Sequence, residues 1–168
     1  DYEVALQKYD QLLEEYPLSS YVPDAYFRKA VCLFRLGRTQ EALRVFRLVE
    51  SKYRSTGFLP FVSFWIGAIS YNEGDYEAAA ANLKRYLESG ESSLLGEAQL
   101  ILAVSENELG NTEAAISYLE SIWEKGFGDE AYAIPFLASL YVREKRYDSV
   151  IELVEDVSTE GLSDDDRI

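Results

Sequence analysis

Apolar residues recur along this chain at i, i+3, i+4 and i+7 in segments of about 13 residues, the spacing of one helix face. The segments come in pairs, and the breaks between partners follow one plan. FRLGRTQEALRVF over 34–46, YNEGDYEAAAANL over 71–83 and NELGNTEAAISYL over 107–119 each place a glycine and, five residues later, an alanine. Gly37, Gly74 and Gly110 stand 37 and 36 residues apart, and so do Ala42, Ala79 and Ala115. Seven residues before each glycine lies another small residue: Ala30, Gly67 or Ala103. A weaker copy puts Ala138, Lys145 and Val150 in these roles, and Ala5, 37 residues before Ala42, opens a half-copy. A fixed period of this length predicts stacked two-helix units.

Nine helices are predicted, over 1–15, 23–35, 39–53, 59–72, 76–88, 94–108, 112–124, 129–143 and 147–157. The glycine ends the first helix of each pair, because it enters the left-handed conformation without a Cβ penalty. Asp75 and Asn111 suit the start of the next helix, whereas Arg38 does not. The two small residues mark where paired helices cross. A large side chain at either would force the axes beyond their contact distance of about 8–10 Å.

These positions resemble the tetratricopeptide repeat. Ile66-Gly67, Leu102-Ala103 and Leu137-Ala138 match its Leu-Gly pair, and Tyr76 and Tyr147 match the aromatic that opens its second helix. Ala5 to Tyr9, Ala42 to Phe46, Ala79 to Leu83 and Ala115 to Leu119 match its Ala-x3-Phe, and Pro17 matches the closing proline. The resemblance implies an all-α, right-handed superhelix over 1–168. It comprises a half repeat at 1–17 and four repeats near 22–56, 58–92, 94–127 and 129–162, with a further helix starting at 163–168. The period of 35–37 exceeds the family's 34, Lys145 replaces a glycine, and Pro135 enters the last first helix, where a kink is expected. The stretch YPLSSYVPDAYFRKA over 16–30 is similar to a junction in bacterial envelope members, the outer-membrane assembly lipoproteins and TolA-binding periplasmic proteins. That likeness implies a periplasmic or envelope setting; a cytoplasmic scaffold is the alternative.

By the same resemblance, the first helices of the repeats line a concave face that holds a protein or peptide segment. The residues it places there are Phe27, Arg28 and Arg35, then Phe61, Phe64, Trp65, Tyr71 and Asn72. Ile101 and Asn107 follow, and then Tyr132 and Phe136. An apolar, aromatic groove suits a partner helix or an extended hydrophobic segment. For Phe64, Trp65 and Phe136 a core position between neighbouring helices is the competing assignment. The family's carboxylate clamp of Lys, Asn and Arg is matched by Arg28 alone. Trp123, ending a second helix, is expected to pack on the next repeat.

Charge and chemistry narrow the function classes. The net charge is −14, split as +1 over residues 1–56 and −15 over 57–168. Acidity on this scale argues against a general nucleic-acid or anionic-membrane binder. The stretch from Arg28 to Arg54 is the exception, with eight cations against Glu41 and Glu50: solvated helix faces or a docking patch for an acidic partner. The chain has no histidine and one cysteine, Cys32, flanked by Val31 and Leu33, which reads as a small buried hydrophobe. Neither a His-based metal site nor a His-activated nucleophile can be assembled, and no glycine-rich phosphate loop is present. Glu106 and Glu108 point to different helix faces, and the run Asp164-Asp165-Asp166 after Ser163 reads as a helix start rather than a calcium loop. No catalytic residue, metal ligand or cofactor is assigned.

No apolar run approaches the roughly 18 residues of a membrane span. The opening at Asp1 within a helical pattern reads as that of an excised fragment. Its first helix is then expected to expose Ala5, Leu6, Tyr9, Leu12 and Leu13, a stripe through which copies could associate. The two functional classes left are a non-catalytic interaction scaffold and a recruiting or regulatory arm of an enzyme whose catalytic domain lies elsewhere.

Overall fold

A computed structural model describes residues 1–126 and 130–160. Among the described residues the chain is all helix: α1 (Tyr2–Glu15), α2 (Val22–Arg35), α3 (Thr39–Lys52), α4 (Leu59–Asn72), α5 (Tyr76–Glu88), α6 (Leu95–Glu108), α7 (Thr112–Lys125), α8 (Glu130–Arg143) and α9 (Tyr147–Glu160). No bound departs from the sequence-predicted one by more than three residues. The tail read as a helix start, from Ser163 through Asp166, lies outside the described residues. The chain divides into two compact units, Asp1–Ser93 and Leu94–Ile168.

In the first unit α1 packs on α2, α2 on α3, α3 on α4 and α4 on α5. The turns after α2 and α4 explain the periodic glycine. Gly37 has φ +75°, its N–H donates to the carbonyl of Phe34 (2.9 Å), and the Arg38 N–H donates to that of Leu33 (2.9 Å). Gly74 repeats the pair of bonds onto Tyr71 and Ser70. This is the Schellman closure, which satisfies the last carbonyls of the helix and needs a left-handed residue at its centre. Asp75 then caps α5 by accepting from the Ala78 N–H at 3.0 Å. At the crossings Ala30, Ala42 and Ala79 are fully buried. Gly67 is the tightest point: a Cβ there would lie 2.7 Å from Leu83 Cγ and 3.3 Å from the Ala79 carbonyl oxygen.

The apolar stripe of α1 is not left open. Leu6 is buried, and Ala5 and Tyr9 pack against the core shared with α2 and α3, so the following helix covers most of the face expected to be free. Leu12 and Leu13 remain half-buried. Polar links follow the repeat as well. Lys29 reaches Asp10 at 2.5 Å, Gln40 reaches Glu73 at 2.5 Å and Arg85 reaches Glu50 at 2.7 Å. Cys32 is a buried free thiol, and burial raises its pKa.

In the second unit α6 packs on α7, α7 on α8 and α8 on α9. Gly110 (φ +82°) makes the same closure after α6, with Asn111 N–H donating to the Glu106 carbonyl at 2.8 Å. Contrary to the expected cap, the Asn111 side chain does not bond the α7 terminus. It turns back and donates to Glu106 Oε2 at 2.7 Å. After α8 the closure persists with Lys145 in the glycine's place, at φ +59°, and Arg146 N–H bonded to the Tyr141 carbonyl (2.8 Å). The hydrogen bonds of this turn hold a side-chain-bearing residue in the left-handed region at a cost of roughly 1 kcal/mol. Pro135 lies inside α8 without ending it. The core is aliphatic: Ile116, Leu119, Ile122, Leu137, Leu140 and Leu153, with Trp123 and Phe136 packed at its margin. Tyr141 donates from its phenol to Glu120 Oε1 at 2.7 Å, and burial together with that carboxylate raises its pKa far above the ordinary phenol value.

Candidate partner-binding surface

The first unit gathers four of the sequence-assigned groove residues, Phe27, Arg35, Phe61 and Trp65, into one aromatic assembly. Phe27 on α2 stacks on Phe58 (5.2 Å between centroids) and meets Phe61 of α4 at 6.4 Å. Trp65, one turn beyond Phe61, meets Phe34 of α2 at 5.2 Å and lies parallel to Phe46 of α3 at 6.4 Å. The Arg35 guanidinium stands over the indole at 5.6 Å, a cation–π contact that leaves the cation in water. The positions follow from helix geometry. Phe61, Trp65 and Asn72 fall within about 40° of one another around α4 at 100° per residue. Phe27 and Arg35 are eight residues apart on α2, about two turns.

Not all assigned residues reach a surface. Phe64 is 1% exposed, wedged edge-on between Trp65 and Tyr86, both at 5.5 Å. It is core and not a contact residue, because the helix turns it 100° away from Trp65, toward α5. Tyr71 is half-buried against Tyr76 (6.1 Å), whereas Asn72 is exposed at the end of α4. Arg28 is exposed, but its Nε bonds both Asp24 oxygens (2.8 and 2.9 Å), and that carboxylate raises its pKa. An arginine already clamped by its own helix offers little to a peptide carboxylate.

Taken by itself, the second unit presents a different set. Ile101 is half-buried on α6. The Asn107 side-chain oxygen accepts from Arg143 of α8 at 2.6 Å, and the same guanidinium nitrogen reaches Thr112 Oγ1 at 2.9 Å. Tyr132 is 73% exposed, and Phe136 is half-buried against the aliphatic core. These four do not form one cluster. Sequence reasoning assigned none of Phe34, Phe46, Phe58 and Tyr86 to the groove, and they complete the aromatic assembly of the first unit. The seven-residue spacing from Phe27 to Phe34 was the available signal.

Among the described residues no helix is long and apolar enough to cross a membrane, and no group of three or more His, Cys, Asp or Glu side chains could hold a metal ion.

A tetratricopeptide repeat family model matches residues 1–55 and 69–126. No curated protein sequence matches the chain. Solved structures similar to it include a crystal structure of MamA, at 15% identity and TM-score 0.73, covering 92% of this chain and 85% of the other. The ArsTM double mutant of MamA RS-1 is similar at 18% identity and TM-score 0.75, over 94% and 84%. MamA from residue 41 to its end, from Desulfovibrio magneticus RS-1, is similar at 19% identity and TM-score 0.74, over 94% and 84%. At such identities the likeness is one of fold.

Proposed function

This chain belongs to the tetratricopeptide repeat family, whose members generally serve as non-catalytic protein–protein interaction scaffolds, and we propose that its first unit binds a partner helix or an extended apolar segment. The observation that supports this most is the Phe27–Phe61–Trp65 surface with Arg35 over the indole. Three large rings stay half-buried in a unit that fully buries Phe46, Phe64 and Tyr86. Rings held rigidly by their neighbours lose little entropy on binding and present large amphipathic faces, the features of interface anchors. Arg35 and Asn72, both exposed, frame the rings with polar groups and would fix the register of the segment.

The reading extends to a multi-protein assembly in a bacterial envelope, on the strength of the 16–30 junction. The test is affinity capture with full-length protein from its native source, comparing the parent with Arg35→Ala, Asn72→Ala and Trp65→Ala. Recovery of a common partner should fall in all three, most for Trp65→Ala, and its location would report the compartment. Equal recovery by all four proteins would refute the surface. A partner that is a cytoplasmic enzyme domain on the same full-length chain would favour the recruiting-arm alternative.

A further inference from the structure

Where α3 ends, α4 begins and α5 ends, the first unit has an open cleft of about 650 Å³, lined by Glu50, Ser51, Arg54, Leu59, Ser63 and Arg85 among others. It is distinct from the aromatic surface, since Leu59 and Ser63 lie on the side of α4 opposite Phe61 and Trp65. Two observations give it a chemistry. Ser63 is only 9% exposed, yet its hydroxyl has no hydrogen-bond partner among the described residues. Its hydroxyl opens into the cleft, where it can donate to a bound group. Arg54, at the mouth, makes no ion pair or hydrogen bond with any described residue, not even to the carbonyl ends of α3 and α5.

The approach to the cleft is basic. Arg44, Arg47 and Ser51 follow one face of α3, spaced three and four residues apart, and lead to Arg54. Among the described residues none of these three arginines makes an ion pair or side-chain hydrogen bond, whereas Arg28, Lys29, Arg38, Arg85 and Arg146 all have carboxylate partners. Glu50 is neutralised by Arg85, which leaves Glu88 as the one opposing charge among the residues lining the cleft.

We propose that this cleft is a second binding site, which takes the oxyanion of an acidic peptide segment lying along α3. Arg54 holds the anion, Ser63 donates the orienting hydrogen bond, and Arg44 and Arg47 hold the acidic residues that precede it. Side-chain carboxylate and phosphorylated side chain share this chemistry. The test titrates the whole chain with a fluorescein-labelled poly-glutamate peptide and with the same peptide ending in phosphoserine. Saturable binding is expected, moving the backbone amide resonances of Leu59 and Ser63, and the tighter peptide identifies the preferred anion. Arg54→Gln should weaken it by about tenfold and Ser63→Ala by about threefold. Glu88→Gln should tighten it, and Lys125→Gln, on an exposed lysine of α7, should change nothing. Equal losses in Arg54→Gln and Lys125→Gln, or unaltered binding in Ser63→Ala, would reduce the cleft to a solvated basic face and overturn the proposal.

Discussion

The hairpin α4–α5 and the hairpin α8–α9 are built to one plan with different parts, and the contrast shows what the plan requires. In α4–α5 the crossing is so close that a Cβ at Gly67 would meet Leu83 Cγ at 2.7 Å. The turn has Gly74 in the left-handed region, and the surrounding core is rich in rings: Phe64, Trp65 and Tyr86. In α8–α9 Ala138 takes the crossing position half-buried, Lys145 takes the turn, and the core is Leu137, Leu140 and Leu153. The backbone hydrogen bonds of the turn are nevertheless the same pair. The closure is therefore the invariant, and glycine is the low-strain way to make it. The outer face of α9 leaves Tyr147, Ile151 and Val154 more than half exposed, whereas α4 buries eight of its residues.

Truncating the ring-rich core should show the largest effect. Phe46→Ala removes a fully buried ring that Phe27 and Trp65 lean on, and should cost about 3–5 kcal/mol in urea unfolding. Next comes the crossing. Gly67→Ala should destabilise by about 1–3 kcal/mol, since the opposing Leu83 is fully buried and cannot swing aside. Ala138→Gly, at the looser crossing, should cost no more than about 1 kcal/mol, through helix propensity alone. Equal costs at the two would erase the distinction between the hairpins.

Smaller effects sharpen the second half of the comparison. Tyr141→Phe should cost about 1 kcal/mol by removing the donor to Glu120. The sign of its pH dependence is fixed. A phenol whose pKa is raised on folding contributes stability that is whole below its unfolded value near pH 10 and is lost above it. Alkaline melts of the parent should therefore fall more steeply above about pH 10 than those of Tyr141→Phe. Lys145→Gly should raise stability by up to about 1 kcal/mol, seen as a later urea midpoint at unchanged slope. A loss would mean that the lysine side chain, not the turn, holds that closure.

Much of this architecture was legible in the residues. Gly37, Gly74 and Gly110 announced their turns because a left-handed closure has a chemical signature, and the register then located Lys145 without one. Which aromatics turn outward was not legible. The α4 sequence is apolar on nearly every side, so Phe64 and Trp65, adjacent in sequence, could not be sorted into core and surface by periodicity. The Arg28 pairing was readable from the four-residue spacing to Asp24. The Ser63 cleft was not, because it arises from three helix ends brought together by packing.

The claim on which the functional reading turns is that a partner meets the first unit on the face carrying Trp65. A photo-reactive residue placed at Asn72, and in a second protein at Glu77 on α5, compares that face with a control, both positions being exposed. In full-length protein under native conditions, a partner adduct should form from position 72, vanish when Trp65→Ala is added, and be absent from position 77. An adduct that forms equally from both positions, or survives Trp65→Ala undiminished, would contradict it.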